Sequence, residues 1–273
     1  MQESRKREIR IKADSFRVKC KIGKYGIIDL FKECERAGYK LLRYPLGENA
    51  DLGFTVKKDN DIVIFTNTCS RLSREIFTLA HEIGHVILHL GDGNSFIDDN
   101  ITIAGRSTDV KEQEANYFAA CLLMPDDDVR RFIDLEIQDF HEKGLSAMDI
   151  ARIMSEFNVS FDMALNRLES LSVINQGQKL NLDNERIEIR VGNLLRSVGG
   201  NAKLNVASNE IDIPYEYIDY VIYNYNHNAV PKETLEKVLA CYRLTIDDVS
   251  DKLIMPSADD TDDLDELIRG LDD

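Results

Sequence analysis

No run of eighteen uncharged apolar residues occurs in this chain of 273 residues, so no membrane-spanning helix is expected. The opening Met1-Gln2-Glu3-Ser4-Arg5-Lys6-Arg7 is polar and lacks the apolar core of a secretory signal, which makes the cytoplasm the expected location. Cysteine is sparse: Cys20, Cys34, Cys69, Cys121 and Cys241 are odd in number, scattered and without a CxxC pair. That pattern speaks against a disulfide framework and a cysteine zinc site, and leaves free structural thiols as the default. A basic excess is missing too. The formal net charge of −15 argues against direct nucleic-acid binding, because phosphate contacts need concentrated positive charge. Part of this acidity is local, since residues 259–273 set eight carboxylates against Arg269 alone. Leu264, Leu267, Ile268 and Leu271 share a helical spacing there, so the tail reads as a solvated terminus, with docking on a basic partner as the alternative. The 43% hydrophobic content is ample for a core in one large or two medium domains.

Against these absences stands one dense stretch, Phe77-Thr78-Leu79-Ala80-His81-Glu82-Ile83-Gly84-His85-Val86-Ile87-Leu88-His89-Leu90. Residues four apart on a helix share a face with about 6 Å of axial rise, so His81 and His85 can reach one metal ion. Glu82 leaves the helix at another angle, where a carboxylate addresses a metal-activated water as general base without ligating the metal. Apolar neighbours on nearly every side predict a buried helix, and buried imidazoles and carboxylates need partners that a metal would supply together. Gly84 points the same way. Glycine inside a helix costs roughly 1 kcal/mol and usually marks close approach by another backbone.

A third protein ligand leaves the fourth tetrahedral position open to water. The segment Lys111-Glu112-Gln113-Glu114-Ala115-Asn116-Tyr117-Phe118-Ala119-Ala120-Cys121-Leu122-Leu123-Met124-Pro125 reads as a second helix, ended by Pro125. Glu114 falls on its apolar stripe with Ala115, Phe118, Ala119, Cys121 and Leu122, and is the expected ligand. Glu112 lies roughly 200° around the helix, is expected to face solvent, and is the fallback. His89 is out of reach of an ion shared by His81 and His85. It reads as a helix-end residue near Gly91, with a supporting or transition-state role as the alternative. Asn116 and Tyr117 are similar cases.

Together the HEIGH run and Glu114-Ala115-Asn116 through Leu122-Leu123-Met124-Pro125 resemble the ImmA/IrrE family of zinc metallopeptidases, in order and in spacing, over roughly residues 25 to 172. The resemblance implies a cytoplasmic zinc endopeptidase holding one Zn²⁺ through His81, His85 and Glu114, with Glu82 as acid/base. It further implies a protein substrate, typically a helix-turn-helix repressor, whose cleavage derepresses mobile-element or stress-response genes. Many members carry an arginine pair just before the Phe-Thr-Leu-Ala run; Arg71 and Arg74 occupy that neighbourhood less regularly, and no role is attached to them. Some members carry an N-terminal DNA-binding domain, for which about two dozen residues are too few. The alternative is a regulatory protein of protease-like fold that controls a transcription factor by contact alone.

The expected architecture is α+β: a small mixed or antiparallel sheet packed on a zincin-like HExxH helix and further helices, followed by a C-terminal domain that is α+β or mainly helical. Residues 1–24 read as a basic head of uncertain order, 25–172 as the peptidase domain, 173–184 as a linker, 185–258 as a second domain and 259–273 as the acidic tail. A helix over Ile27–Ala37 ends at Gly38, strands follow over 39–44 and 53–56, Asp59-Asn60-Asp61 turns, and Ile62-Val63-Ile64-Phe65 is a third strand. Asn94 to Asp109 is a loop beside the cleft. Ser146 to Leu168 has a helix-turn-helix cadence, but Asn166 and Arg167 are poor base readers and a packing role is favoured. Beyond Ser172, Arg186 to Val191 alternates as a strand, and Lys232 to Tyr242 is a helix begun by Pro231. Tyr215, Tyr217, Tyr220, Tyr223 and Tyr225 suit either an interface, such as a homodimer, or a core.

Overall fold

In the computed structural model, residues 1–47, 50, 52–58, 61–90 and 109–254 are described. The expected turn at 59–60, nearly all of the expected cleft loop and the acidic tail lie outside them. The chain divides into two compact units, Met1–Ile213 and Pro214–Asp273.

The first unit opens with a helix, α1 (Glu3–Arg17), where a head of uncertain order was expected. Ile9, Ala13 and Phe16, at helical spacing, are its buried stripe, and its hydrophilic remainder made it look like a solvated tail. The helix α2 (Leu30–Arg36) is capped by the Asp29 carboxylate, which accepts from Lys32 N–H, and is followed by Gly38 at φ +87°. Three strands follow, β1 (Lys40–Tyr44), β2 (Gly53–Lys58) and β3 (Asp61–Asn67). They form one mixed sheet in the order β1-β3-β2, with Leu41 paired in parallel to Ile64 and Thr55 antiparallel to the same residue. This sheet and its surrounding helices give the α+β class, with β2 at one edge.

The helix α3 (Leu72–His89) packs on the sheet and is buried over most of its length, as its apolar surround predicts. A buried polar knot fixes its first half. Arg43 of β1 donates to both oxygens of Glu75 at 2.8 and 3.2 Å, and Thr66 and Ser208 hydroxyls each donate to Glu75 at 3.1 Å. A paired, fully satisfied charge of this kind orients the helix on the sheet, whereas either partner alone would be costly. The helix α4 (Val110–Leu123), capped by Asp109, packs between α3 and α1. Gly84 is where α3 and α4 meet: a Cβ there would lie 3.2 Å from Ala115 Cα and 3.1 Å from Phe118 Cδ1. The glycine permits the close approach that its position in the sequence implied.

Beyond Pro125 run α5 (Asp126–Glu136), α6 (Phe140–Lys143), α7 (Ala147–Phe157) and α8 (Phe161–Ser170). Ser146 and Asp149 form a capping box on α7, and Asn158 turns the chain at φ 55° before Ser160 caps α8. Ile150, Ile153, Met154, Ala164, Leu165 and Leu168 are buried, and Arg167 donates to the Met124 carbonyl at 2.8 Å, so this helix pair packs and Arg167 is no base reader.

The next stretch corrects the sequence reading. The expected linker at 173–184 and the expected strand over Arg186–Val191 are occupied largely by α9 (Gln176–Ile189), followed by α10 (Val191–Ser197). Asn175 and Gln178, within the expected linker, form a capping box. Ile187 and Ile189, whose alternation suggests a strand, are exposed at 71% and 42%, so no buried face stood behind the pattern. Asp212 makes a single antiparallel bridge with Arg43 of β1.

The second unit contains α11 (Glu216–Asn226), α12 (Lys232–Cys241) and a 3-10 turn over Asp247–Lys252. Its small core is Ile218, Val221, Ile222, Leu235, Leu239 and Val249. Tyr215, Tyr217, Tyr220 and Tyr223 are exposed, while Tyr225 packs against that core. Among the described residues, no helix is long and apolar enough to cross a membrane.

Candidate metal centre

Side by side on α3, His81 and His85 point their Nε2 atoms at each other, 2.9 Å apart. The third group at this point is Glu112: its Oε1 lies 3.0 Å from His85 Nε2 and its Oε2 lies 3.3 Å from His81 Nε2. One donor atom from each of the three residues falls within 4.8 Å of the others, and all three residues are buried.

Glu114, expected from its place on the apolar stripe, is not brought to the histidine pair. Arg5 of α1 donates to both of its oxygens, at 2.8 and 2.6 Å, and His89 Nε2 lies 3.0 Å from its Oε2. The reason is that α4 is covered on two faces. An apolar stripe marks one buried face, but α3 covers the Glu112 side and α1 covers the Glu114 side, so both carboxylates are buried.

The hydrogen bonds behind the donors set which ring nitrogens carry protons. Asn116 Oδ1 lies 3.0 Å from His81 Nδ1 and accepts from it, which leaves Nε2 of the neutral ring as a lone pair. His89 Nε2–H donates to Glu114, so its Nδ1 accepts from His85 Nδ1 at 3.1 Å, and Nε2 of His85 is a lone pair as well. Two lone pairs and a carboxylate then converge in a buried space with no counter-charge among the described residues. A bound divalent cation reconciles them, and nitrogen and carboxylate oxygen are donors that suit zinc. Glu112 Oε2, buried and without a well-formed hydrogen bond, is a further mark of that fit.

Burial pushes the Glu112 carboxyl up, but positive charge on the facing His81 and His85 rings outweighs it and would bring it to about 2; with both rings neutral, that charge is left for a cation to supply. For Glu114 the Arg5 hydrogen bond dominates, opposed by burial and helped by His89, and again holds it near 2. Burial lowers His89. Glu82 is different: it is fully buried, and desolvation raises its carboxyl above the usual range. Its Oε2 accepts from the Thr55 hydroxyl of β2 at 2.7 Å, while Oε1 has no partner among the described residues. A carboxylate raised toward neutrality, with one oxygen tethered and one free, is arranged for proton transfer.

Tyr117 is half-buried, and no described hydrogen bond joins it to the histidines. Its hydroxyl is pushed up by burial. Two participants escaped the sequence reading. Thr55 has no local signal, since only the register of β2 carries it to Glu82. Arg5 had one in principle, because the Ile9, Ala13, Phe16 stripe marks α1 as a packed helix that must bring its first turn somewhere.

Comparison with known proteins adds to this geometry. Residues 34–169 match the IrrE N-terminal-like domain of peptidase family M78, a span that includes β1 to β3, α3 and α4. Over 65 residues the chain is 46% identical to the radiation response metalloprotease IrrE of Deinococcus radiodurans. That match covers 23% of this chain and 20% of the Deinococcus protein. With the same residues carrying the family match and the donor cluster, the chain belongs to the ImmA/IrrE family of metallopeptidases.

Proposed function

We propose that this chain is a zinc-dependent endopeptidase that holds one ion through His81, His85 and Glu112 and uses Glu82 as general acid/base. The observation that carries the reading is the convergence of two imidazole lone pairs and the Glu112 carboxylate beside a buried Glu82 with one free oxygen. When bound, zinc supplies a Lewis acid that acidifies water and polarises a peptide carbonyl. Glu82 takes the proton from the attacking water and delivers it to the leaving amine. Its raised carboxyl suits both halves of that transfer. Thr55 holds one carboxylate oxygen, so that the other is aimed. Asn116, His89, Glu114 and Arg5 hold the two imidazoles in the tautomers that ligation requires. The edge strand β2 offers backbone groups to an extended peptide, which would be recognised by strand addition.

The substrate proposed is a regulatory protein of helix-turn-helix type, whose cleavage derepresses mobile-element or stress-response genes. Support comes from the family and from the radiation-response designation of the Deinococcus relative. The test is incubation of the chain with candidate repressors, with zinc or with chelator, beside Glu82→Gln. Cleavage by the parent with zinc, and none by the variant or with chelator, is expected. Full regulatory activity of Glu82→Gln without any cleavage product would replace the peptidase by the contact mechanism.

A further inference from the structure

A cleft of about 1020 Å³ lies within the first unit, among the first turns of α3, the body of α4 and α8. Two of its lining residues lead to the donor cluster. Asn116, in its wall, accepts from His81 Nδ1. Leu52, also in the wall, directly precedes Gly53, where a Cβ would lie 3.5 Å from Glu82 Cγ. A peptide laid along the edge of β2 past Glu82 therefore continues into this cleft at the Gly53 end of the strand.

The charge of its wall departs from the charge of the molecule. Arg71, Arg74, Arg167 and Arg186 line it against Asp162 as the one acid among the described lining residues, in a chain whose net charge is −15. Two of the four cations are already spoken for. Arg167 donates to the Met124 carbonyl at 2.8 Å, and Arg186 pairs with Asp162 at 2.6 Å. Arg71 and Arg74 are exposed and make no side-chain hydrogen bond or ion pair among the described residues. No described residue calls on these guanidinium groups. The start of α3 is anchored by the backbone, through the Arg71 bridge to Ala207 and the Leu72 N–H donated to the Val206 carbonyl at 2.9 Å. Two unpaired guanidinium groups three residues apart on one concave wall repel each other and create a local positive field in an acidic protein. An anionic occupant relieves both. Guanidinium is also the group best matched to a carboxylate, through paired N–H donors.

We infer that this cleft is a subsite for an acidic segment of the protein substrate, in which Arg71 and Arg74 bind carboxylates flanking the scissile bond. The word substrate rests on the peptidase reading above, but the binding does not. Phe77, between the arginines and His81 on α3, gives the floor an apolar patch, so a segment mixing carboxylates with apolar residues fits better than a uniformly charged one.

The experiment uses the full chain as Glu82→Gln, loaded with zinc, and two fluorescein-labelled peptides of alternating Leu, Ala and Glu or the same sequence with Gln for Glu. Fluorescence anisotropy reads the two affinities at low and high salt. The acidic peptide should bind about tenfold more tightly at low salt, with the difference shrinking as salt screens it. Arg71→Gln with Arg74→Gln should abolish most of the discrimination, and Arg71→Lys with Arg74→Lys should keep a large part of it. Equal affinities for the two peptides, or discrimination that survives the double glutamine variant, would overturn the assignment. The peptidase reading fails separately, by absence of cleavage, and a chain that discriminates the peptides without cutting any repressor would leave the subsite standing.

Discussion

Glu112 and Glu114 stand two residues apart on α4, both buried, and meet opposite surroundings. Around Glu114 the charges close among themselves: Arg5 supplies the cation, and His89 completes the hydrogen bonding. Around Glu112 they do not, because its neighbours are two imidazoles whose protons are committed elsewhere. The comparison teaches that a buried carboxylate is read by what faces it. One of these glutamates carries its counter-ion within the fold, and the other is the one proposed to meet a metal ion.

Removing one carboxylate at a time separates the two regions most sharply. Glu112→Ala is expected to weaken zinc binding by more than about 100-fold, whereas Glu114→Ala should weaken it by about 10- to 100-fold, as is usual for partners behind the ligands. Metal content after dialysis against graded chelator measures both. If Glu114→Ala loses zinc at lower chelator concentration than Glu112→Ala, the assignment is reversed. A smaller effect is expected from Arg5→Met, which leaves Glu114 with His89 alone. Loss of this part-buried, two-pronged contact should cost about 1–3 kcal/mol of stability by urea unfolding, with Arg5→Lys restoring only a fraction because one ammonium cannot span both oxygens. Unchanged stability in Arg5→Met would mean that α1 does not hold the Glu114 region together. Least disruptive is Thr55→Val, which removes the tether on Glu82. Zinc content should stay at the parental level while kcat/KM falls by about tenfold. A parallel loss of zinc would show that Thr55 belongs to the donor region instead.

Much of this was legible from residue patterns, because it depends on neighbours close in sequence. The spacing of His81 and His85 fixes their shared face once a helix forms. The α2 stop at Gly38 and the close approach at Gly84 follow from the conformational limits of single residues. Misreadings arose where a local pattern had two meanings. Asn175 to Gln178 has turn-like composition, yet those side chains equally suit a capping box. Ile187 and Ile189 alternate without any sheet to face. A charged, lysine- and arginine-rich head resembles a tail until Ile9, Ala13 and Phe16 are seen to bury themselves.

By itself the sequence determined the histidine pair, the carboxylate beside it and the helix that presents all three, since a 3.6-residue period and a buried setting leave little freedom. Which glutamate joins them was decided only by tertiary structure. A helix presents every face at once, and the choice between Glu112 and Glu114 was made by α3 and α1 closing on opposite sides of α4, with Arg5 arriving 109 residues away in the chain to claim one of them.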